Sequence, residues 1–194
     1  SRVEDGGALY ASGEAVDLDQ PPGDIIVLTS ADTEVSLLSA AAARFAENTA
    51  APSIRIANYL SLSHPFSVDQ YLANTVIGAK LVVMRLLGGT GYWSYGVQQF
   101  RALADAGGPP VVFLAGDGKP DPELDYLSSL SPERCHALAA YLDSGGPPNT
   151  PSFLIPLRHL FDGTDPAPPP LPLLQTGLSP PGQRTPPTAL IRAT

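Results

Sequence analysis

The sequence predicts an α/β domain built on a doubly wound parallel sheet, followed by a proline-rich C-terminal tail. Three observations carry this. Four short runs rich in Val, Ile and Leu lie between Asp24 and Gly116, helix-forming stretches separate them, and 13 of the 22 prolines fall after residue 146. A proline lacks the amide donor and fixes φ, so that last quarter is extended or irregular.

The apolar runs are "DIIVLTS" from Asp24, "SIRIANY" from Ser53, "KLVVMRLL" from Lys80 and "PVVFLAG" from Pro110. Each stops at turn residues, as strands buried on both faces do. Between the first two, "ADTEVSLLSAAAARFAENTA" has Asp32 as its expected N-cap, Glu34 in the first turn and strong helix formers thereafter. "SVDQYLANTVIGA" supplies a second helix, and "YGVQQFRALADAGG" a third that ends in the glycine pair expected after a helix C-terminus. Alternation of this length implies parallel strands joined by right-handed crossovers, a flavodoxin-like or Rossmann-like arrangement. After Asp117 the pattern turns helical, with "PDPELDYLSSL" and then "SPERCHALAAYLDSGG", where Ser131 caps and Pro132 takes the first helical position. The expected division is a domain over 1–149 and a proline-rich segment over 150–194, within which "SFLIPLRHLF" can pack as a short helix or strap.

Composition narrows the function. With 194 residues, the chain has room for one domain and a tail. A net charge of −8 with only 11 basic residues argues against nucleic acid, which needs a concentrated Lys/Arg face. The single cysteine, Cys135, excludes an internal disulfide and a cysteine metal cluster. No apolar run approaches the roughly 20 residues of a membrane span, and "SRVEDGGALY" has no signal-peptide pattern. A cytoplasmic protein is expected. The absence of Met at residue 1 suggests a processed N-terminus or a piece of a longer protein.

Doubly wound sheets bind ligands outside the carboxyl ends of their strands. The stretch "RLLGGTGYWSYG" lies at such an end and is neither a Walker A loop nor a full G-x-G-x-x-G. Its Gly88, Gly89 and Gly91 either permit a tight turn or bring backbone amides to an anion. Tyr92, Trp93 and Tyr95 either pack beneath a neighbouring loop or stack on a flat ligand. His64, forced out of helical geometry by Pro65, sits in the loop after the second strand as a hydrogen-bonding, acid–base or ligand residue. Asp117 belongs to a turn-like "GDGKP". No metal site is expected, because His64, His136 and His159 lie too far apart to form a local motif.

Five strings in register, "DLDQPPGDIIVLTSADTE", "LSHPFSVDQY", "VVMRLLGGTGYWSYGVQQF", "LAGDGKPDPEL" and "AYLDSGGPPN", resemble the N-terminal region of the large subunit of aerobic cobaltochelatase, a family related to the magnesium-chelatase H subunit. The match runs from about Val16 to Asn149, and "PPPLPLLQTGL" echoes the family's next segment weakly. The resemblance implies a ligase that inserts Co²⁺ into hydrogenobyrinic acid a,c-diamide during cobalamin synthesis, with Mg-ATP hydrolysed by separate AAA+ partner subunits. Its partners would be those subunits, the remainder of the large subunit and the corrinoid (tetrapyrrole) substrate. The family's large subunit is many times longer than this chain. The fragment is therefore expected to bind no cofactor, to carry no assignable catalytic residue, and to be inactive alone.

On this reading Tyr92, Trp93 and Tyr95 offer area to a macrocycle or a neighbouring domain, the glycine-loop amides and Arg85 receive a peripheral carboxylate, and His64 and Asp117 complete the edge. The corner is expected to face outward, because burying three aromatics beside three glycines leaves two phenols and an indole N–H seeking partners. Two other functions compete: a flavin- or nucleotide-binding flavodoxin-like domain, and an interaction module with a proline-rich tail. Against the former, Asp32 and Glu34 follow the first strand where a phosphate would be repelled.

Overall fold

A computed structural model describes residues 14–164. The four expected strands are present as β1 (Ile25–Thr29), β2 (Ile54–Asn58), β3 (Leu81–Leu86) and β4 (Val111–Ala115). They form one all-parallel sheet in the order β2-β1-β3-β4. The chain thus steps outward from β1 to β2, crosses back over β1 to β3, and continues outward to β4. The reversal falls between β1 and β3, which is where a doubly wound sheet opens its crevice.

Among the described residues seven α-helices accompany the strands: α1 (Asp32–Phe45), α2 (Pro65–Tyr71), α3 (Ser94–Asp105), α4 (Pro122–Leu127), α5 (Pro132–Ser144), α6 (Gly146–Ser152) and α7 (Leu154–Asp162). Alternate strand residues point to opposite faces, so each strand feeds two cores. Ile26, Leu28, Val82, Met84 and Phe113 pack with Val68, Val97 and Phe100 of α2 and α3. Ile25, Val27, Val83, Val112 and Leu114 pack with Leu38 of α1, Leu138 of α5 and Leu157 of α7. Each fully buried Leu, Ile or Phe contributes about 1.5–3 kcal/mol, so neither face is dispensable.

Local chemistry sets the helix ends. Ser131 Oγ accepts from Arg134 N at 3.4 Å, and Asp121 Oδ1 accepts from Glu123 N at 3.0 Å and Leu124 N at 3.2 Å. The expected cap on α1 is different: Ala31 occupies that position, and Asp32 is the first helical residue. Asp32 Oδ1 instead accepts from Asn58 Nδ2 at 2.8 Å, joining the ends of β1 and β2. Helix α2 begins at Pro65 and is prolonged by a π-turn over Leu72–Val76. There Thr75 Oγ1 donates to Gln20 O at 2.6 Å.

Packing continues beyond residue 149, since Phe153, Leu154 and Leu157 are buried in the α1–α5 layer. The "SFLIPLRHLF" stretch is therefore helical and part of the core, while residues 165–194, with "DPAPPPLPLL" in them, lie outside the described residues.

Side chains bond to backbone groups at both sheet edges. At β2, Gln20 Nε2 donates to Ile56 O at 2.9 Å, and Gln20 Oε1 accepts from the Tyr71 hydroxyl at 2.7 Å. At β4, Val111 N donates to Ser129 Oγ at 2.9 Å, Phe113 N to Ser128 Oγ at 3.0 Å, and Ser129 N returns a bond to Val111 O at 2.8 Å. On the β4 side, backbone groups that would invite another strand are thereby occupied.

Candidate functional site

The carboxyl end of the sheet divides into an ionic half beneath α1 and α5 and an aromatic half beneath α2 and α3. Arg85 belongs to the first because it shares strand parity with Leu81 and Val83, whose side chains enter the α1–α5 layer. Its Nε lies 3.5 Å from Glu34 Oε2, its Nη2 lies 3.1 Å from Asp143 Oδ1, and Nη2 also donates to Gly116 O at 3.3 Å. Glu34 is held in turn by the Thr29 hydroxyl at 2.7 Å. The Arg85 side chain is 11% exposed, and its Nη1 is buried with no hydrogen-bond partner among the described residues. Burial raises the Asp143 carboxyl above its ordinary value, Arg85 partly offsets that, and Asp117 adds to it. Arg85 is thus turned toward two carboxylates of its own domain.

In the aromatic half the glycine loop is a tight turn. Gly88 has φ +84°, and a Cβ there would stand 2.5 Å from the Tyr92 ring. Gly89 also has positive φ, and the 3₁₀ turn Gly89–Tyr92 follows. Thr90 Oγ1 donates to Glu123 Oε1 at 3.2 Å, tying the loop to α4.

Trp93 is 3% exposed, which corrects the expectation of an outward-facing corner at this residue. The physical objection to burial is met by one bond: indole Nε1 donates to Leu62 O at 2.9 Å. The ring lies 4.9 Å from Tyr59 and 5.9 Å from Phe100, both tilted, as aromatic pairs prefer. Gly96 leaves room for it, since a Cβ there would sit 2.2 Å from the indole.

The other candidates line the outside of this half. The Tyr95 hydroxyl donates to Asp69 Oδ1 at 2.8 Å, and that bond with burial raises the phenol above its ordinary value. Tyr92 is exposed. His64 caps α2, with Nδ1 accepting from Phe66 N at 3.1 Å, which places the proton of the neutral ring on Nε2. Since Trp93 binds Leu62 O, His64 and Trp93 share one end of the sheet, as expected. Asp117 stands apart, beyond β4, where Oδ1 accepts from Lys119 N at 3.1 Å in an exposed turn.

Sequence reasoning missed the partners of Arg85, although a signal existed: an arginine inside an apolar strand requires a buried counter-charge. It also missed a cleft of about 190 Å³ beyond β4, lined by Lys119, Asp125, Cys135 and His136 among others. There His136 Nε2 and Asp125 Oδ2 are 3.1 Å apart. The buried Cys135 thiol is pushed up by desolvation, the opposite of what a nucleophile needs. Among the described residues no three His, Cys, Asp or Glu side chains form a metal-holding group. No helix among them is long and apolar enough to cross a membrane.

No family model matches the chain. It is 39% identical over 176 residues to the aerobic cobaltochelatase subunit CobN of a Sinorhizobium species, covering 91% of this chain and 14% of that protein. It is 37% identical over 152 residues to the subunit of the same name from Pseudomonas aeruginosa, covering 78% of this chain and 12% of that protein. Among solved structures, the catalytic subunit of cobaltochelatase from Mycobacterium tuberculosis matches with a TM-score of 0.55 and 27% identity, over 77% of this chain and 11% of the other. The chain therefore spans about one-seventh or less of the relatives it matches. By sequence this chain is a relative of one portion of the aerobic cobaltochelatase subunit CobN, and its fold matches one portion of a cobaltochelatase catalytic subunit.

Proposed function

We propose that this chain serves as the N-terminal head unit of a cobaltochelatase large subunit, acting in cobalamin synthesis in the cytoplasm. The observation that carries the reading is similarity over 91% of the chain to a CobN subunit, joined to a fold match with a cobaltochelatase catalytic subunit. In the whole enzyme Co²⁺ is inserted into hydrogenobyrinic acid a,c-diamide while AAA+ partner subunits hydrolyse Mg-ATP. The head unit holds no cofactor of its own and performs neither step by itself. Its role is to present a rigid face to the macrocycle or to a neighbouring domain: His64, Tyr92 and Tyr95 on the outside, the turn of Gly88, Gly89 and Gly91 shaping it and Trp93 bracing it from within, with Arg85 and Asp117 on the ionic side of the same sheet end.

The carboxylates of Glu34 and Asp143 at this end of the sheet, with Arg85 already paired to them, speak against the flavin or nucleotide reading, because they would repel a phosphate. An absorbance spectrum of the purified chain should accordingly show no flavin band.

The test is cobalt insertion into the corrinoid by a family large subunit in which this sequence replaces the matching region, with the partner subunits and Mg-ATP present. Insertion by the chimera and none above background by the 194-residue chain is the expected pair of results. Insertion by the chain alone overturns the head-unit role; an inactive but folded chimera overturns the family function.

A further inference from the structure

The proposed role leaves open what covers the outer rim of the aromatic half, where apolar side chains stand exposed beside Tyr92. Leu60 is 44% exposed, Phe66 56%, Leu87 54% and Tyr92 43%. Leu60, Leu87 and Tyr92 sit on the turns that follow β2 and β3, and Phe66 in the first turn of α2. Turns and helices here are bonded together: Leu87 N donates to the Tyr59 hydroxyl at 3.3 Å and Trp93 Nε1 to Leu62 O, joining the turns after β2 and β3, and the Tyr95 hydroxyl of α3 donates to Asp69 of α2. An exposed apolar set mounted on a rigid, hydrogen-bonded base is the anatomy of a protein interface, whose centre is apolar and aromatic.

We propose that this rim is the seat of the body of the same large subunit, an apolar face of the polypeptide that lies outside the matched region. The inference rests on the head-unit reading and chooses the neighbouring domain over the macrocycle. Three observations support the choice. The greater part of each relative lies beyond what this chain matches. The β4 edge is capped by Ser128 and Ser129, so the unit is not joined by strand addition on that side. Carboxylates held on these elements include Asp32 on Asn58, Asp69 on Tyr95, Asp121 beside Gly89 and Glu123 on Thr90, and Arg85 is already paired with Glu34 and Asp143. A polycarboxylate macrocycle would meet repulsion there, whereas an apolar protein face would not.

Hydrogen exchange read by mass spectrometry tests this, comparing the 194-residue chain with the full-length chimera in the absence of cobalt, ATP and corrinoid. Peptides over 59–67 and 86–93 should exchange at least about tenfold more slowly in the full-length protein, while the 116–121 turn exchanges alike in both. Phe66→Glu with Leu87→Glu should abolish that difference and leave the melting of the 194-residue chain unchanged. Equal exchange in both proteins overturns the proposal. So does slowing that appears only when corrinoid is added, which marks a ligand surface, or only as the short chain is concentrated, which marks self-association. A protected rim in a chimera that does not insert cobalt sinks the functional reading and leaves this one standing.

Discussion

The two halves of the sheet's carboxyl end satisfy their buried polar groups by opposite means. The aromatic half buries a large side chain with one polar atom, and one carbonyl, Leu62 O, satisfies it. The ionic half buries a guanidinium with five N–H groups, and Glu34, Asp143 and Gly116 leave Nη1 unmatched. Burying a single donor is easily balanced, whereas burying a charge demands several partners from several elements. The aromatic half is therefore expected to hold the fold, and the ionic half to be the more sensitive to conditions.

The largest effect should come from Trp93→Ala, which removes a buried indole beside Tyr59 and Phe100 and should lose about 3–5 kcal/mol in urea unfolding. A loss near that of an exposed aromatic would reverse the assignment of Trp93 to the core. Arg85→Met strands two carboxylates. It should lose about 2–4 kcal/mol at neutral pH, at or below the ~3–5 of a fully buried pair because Asp143 is one-third exposed. Adding Glu34→Gln and Asp143→Asn should recover most of it, and no recovery would mean that Arg85 acts through packing alone. Gly88→Ala combines a left-handed φ with a clash on the Tyr92 ring and should lose about 1–3 kcal/mol.

A smaller effect separates the halves by pH. Asp143 has a folded value raised above its unfolded one, burial outweighing Arg85. Between those two values the native state binds the extra proton, so this group's contribution to stability falls as pH rises through the window and recovers as pH drops. Urea unfolding of wild type and Asp143→Asn across that acidic range should show wild type gaining relative to the variant as pH falls; a constant gap would exclude titration of Asp143. Smallest of all should be Leu60→Gln on the outside of the aromatic half, within about 0.5 kcal/mol, as for other exposed positions. A loss approaching that of Trp93→Ala would mean that the rim belongs to the core of this unit.

Much of the fold was legible in the chain, because the signals were local. Each apolar run between turn residues became a strand, Ser131 and Pro132 began α5 as their chemistry dictates, and Gly107 and Gly108 ended α3. The cap on α1 was misread by one residue, because Asp32 found a stronger use for its carboxylate across the sheet on Asn58. The site was less legible. His64 reads as a loop residue from Pro65 alone, but nothing in "GGTGYWSYG" says which of its aromatics turns inward.

Strand and helix identity, their alternation and the parallel sheet that follows were determined by the sequence itself, since propensity, capping and apolar run length act within a few residues. The order β2-β1-β3-β4, the inward turn of Trp93 and the capture of Arg85 were decided only by the tertiary structure. Leu62 is 31 residues from Trp93, and Glu34 and Asp143 lie on different helices from each other and from the strand that carries Arg85. Satisfying a buried donor or charge is a requirement of the site, met by whichever groups the packed layers bring there, so the partner's identity exists only once the layers have formed.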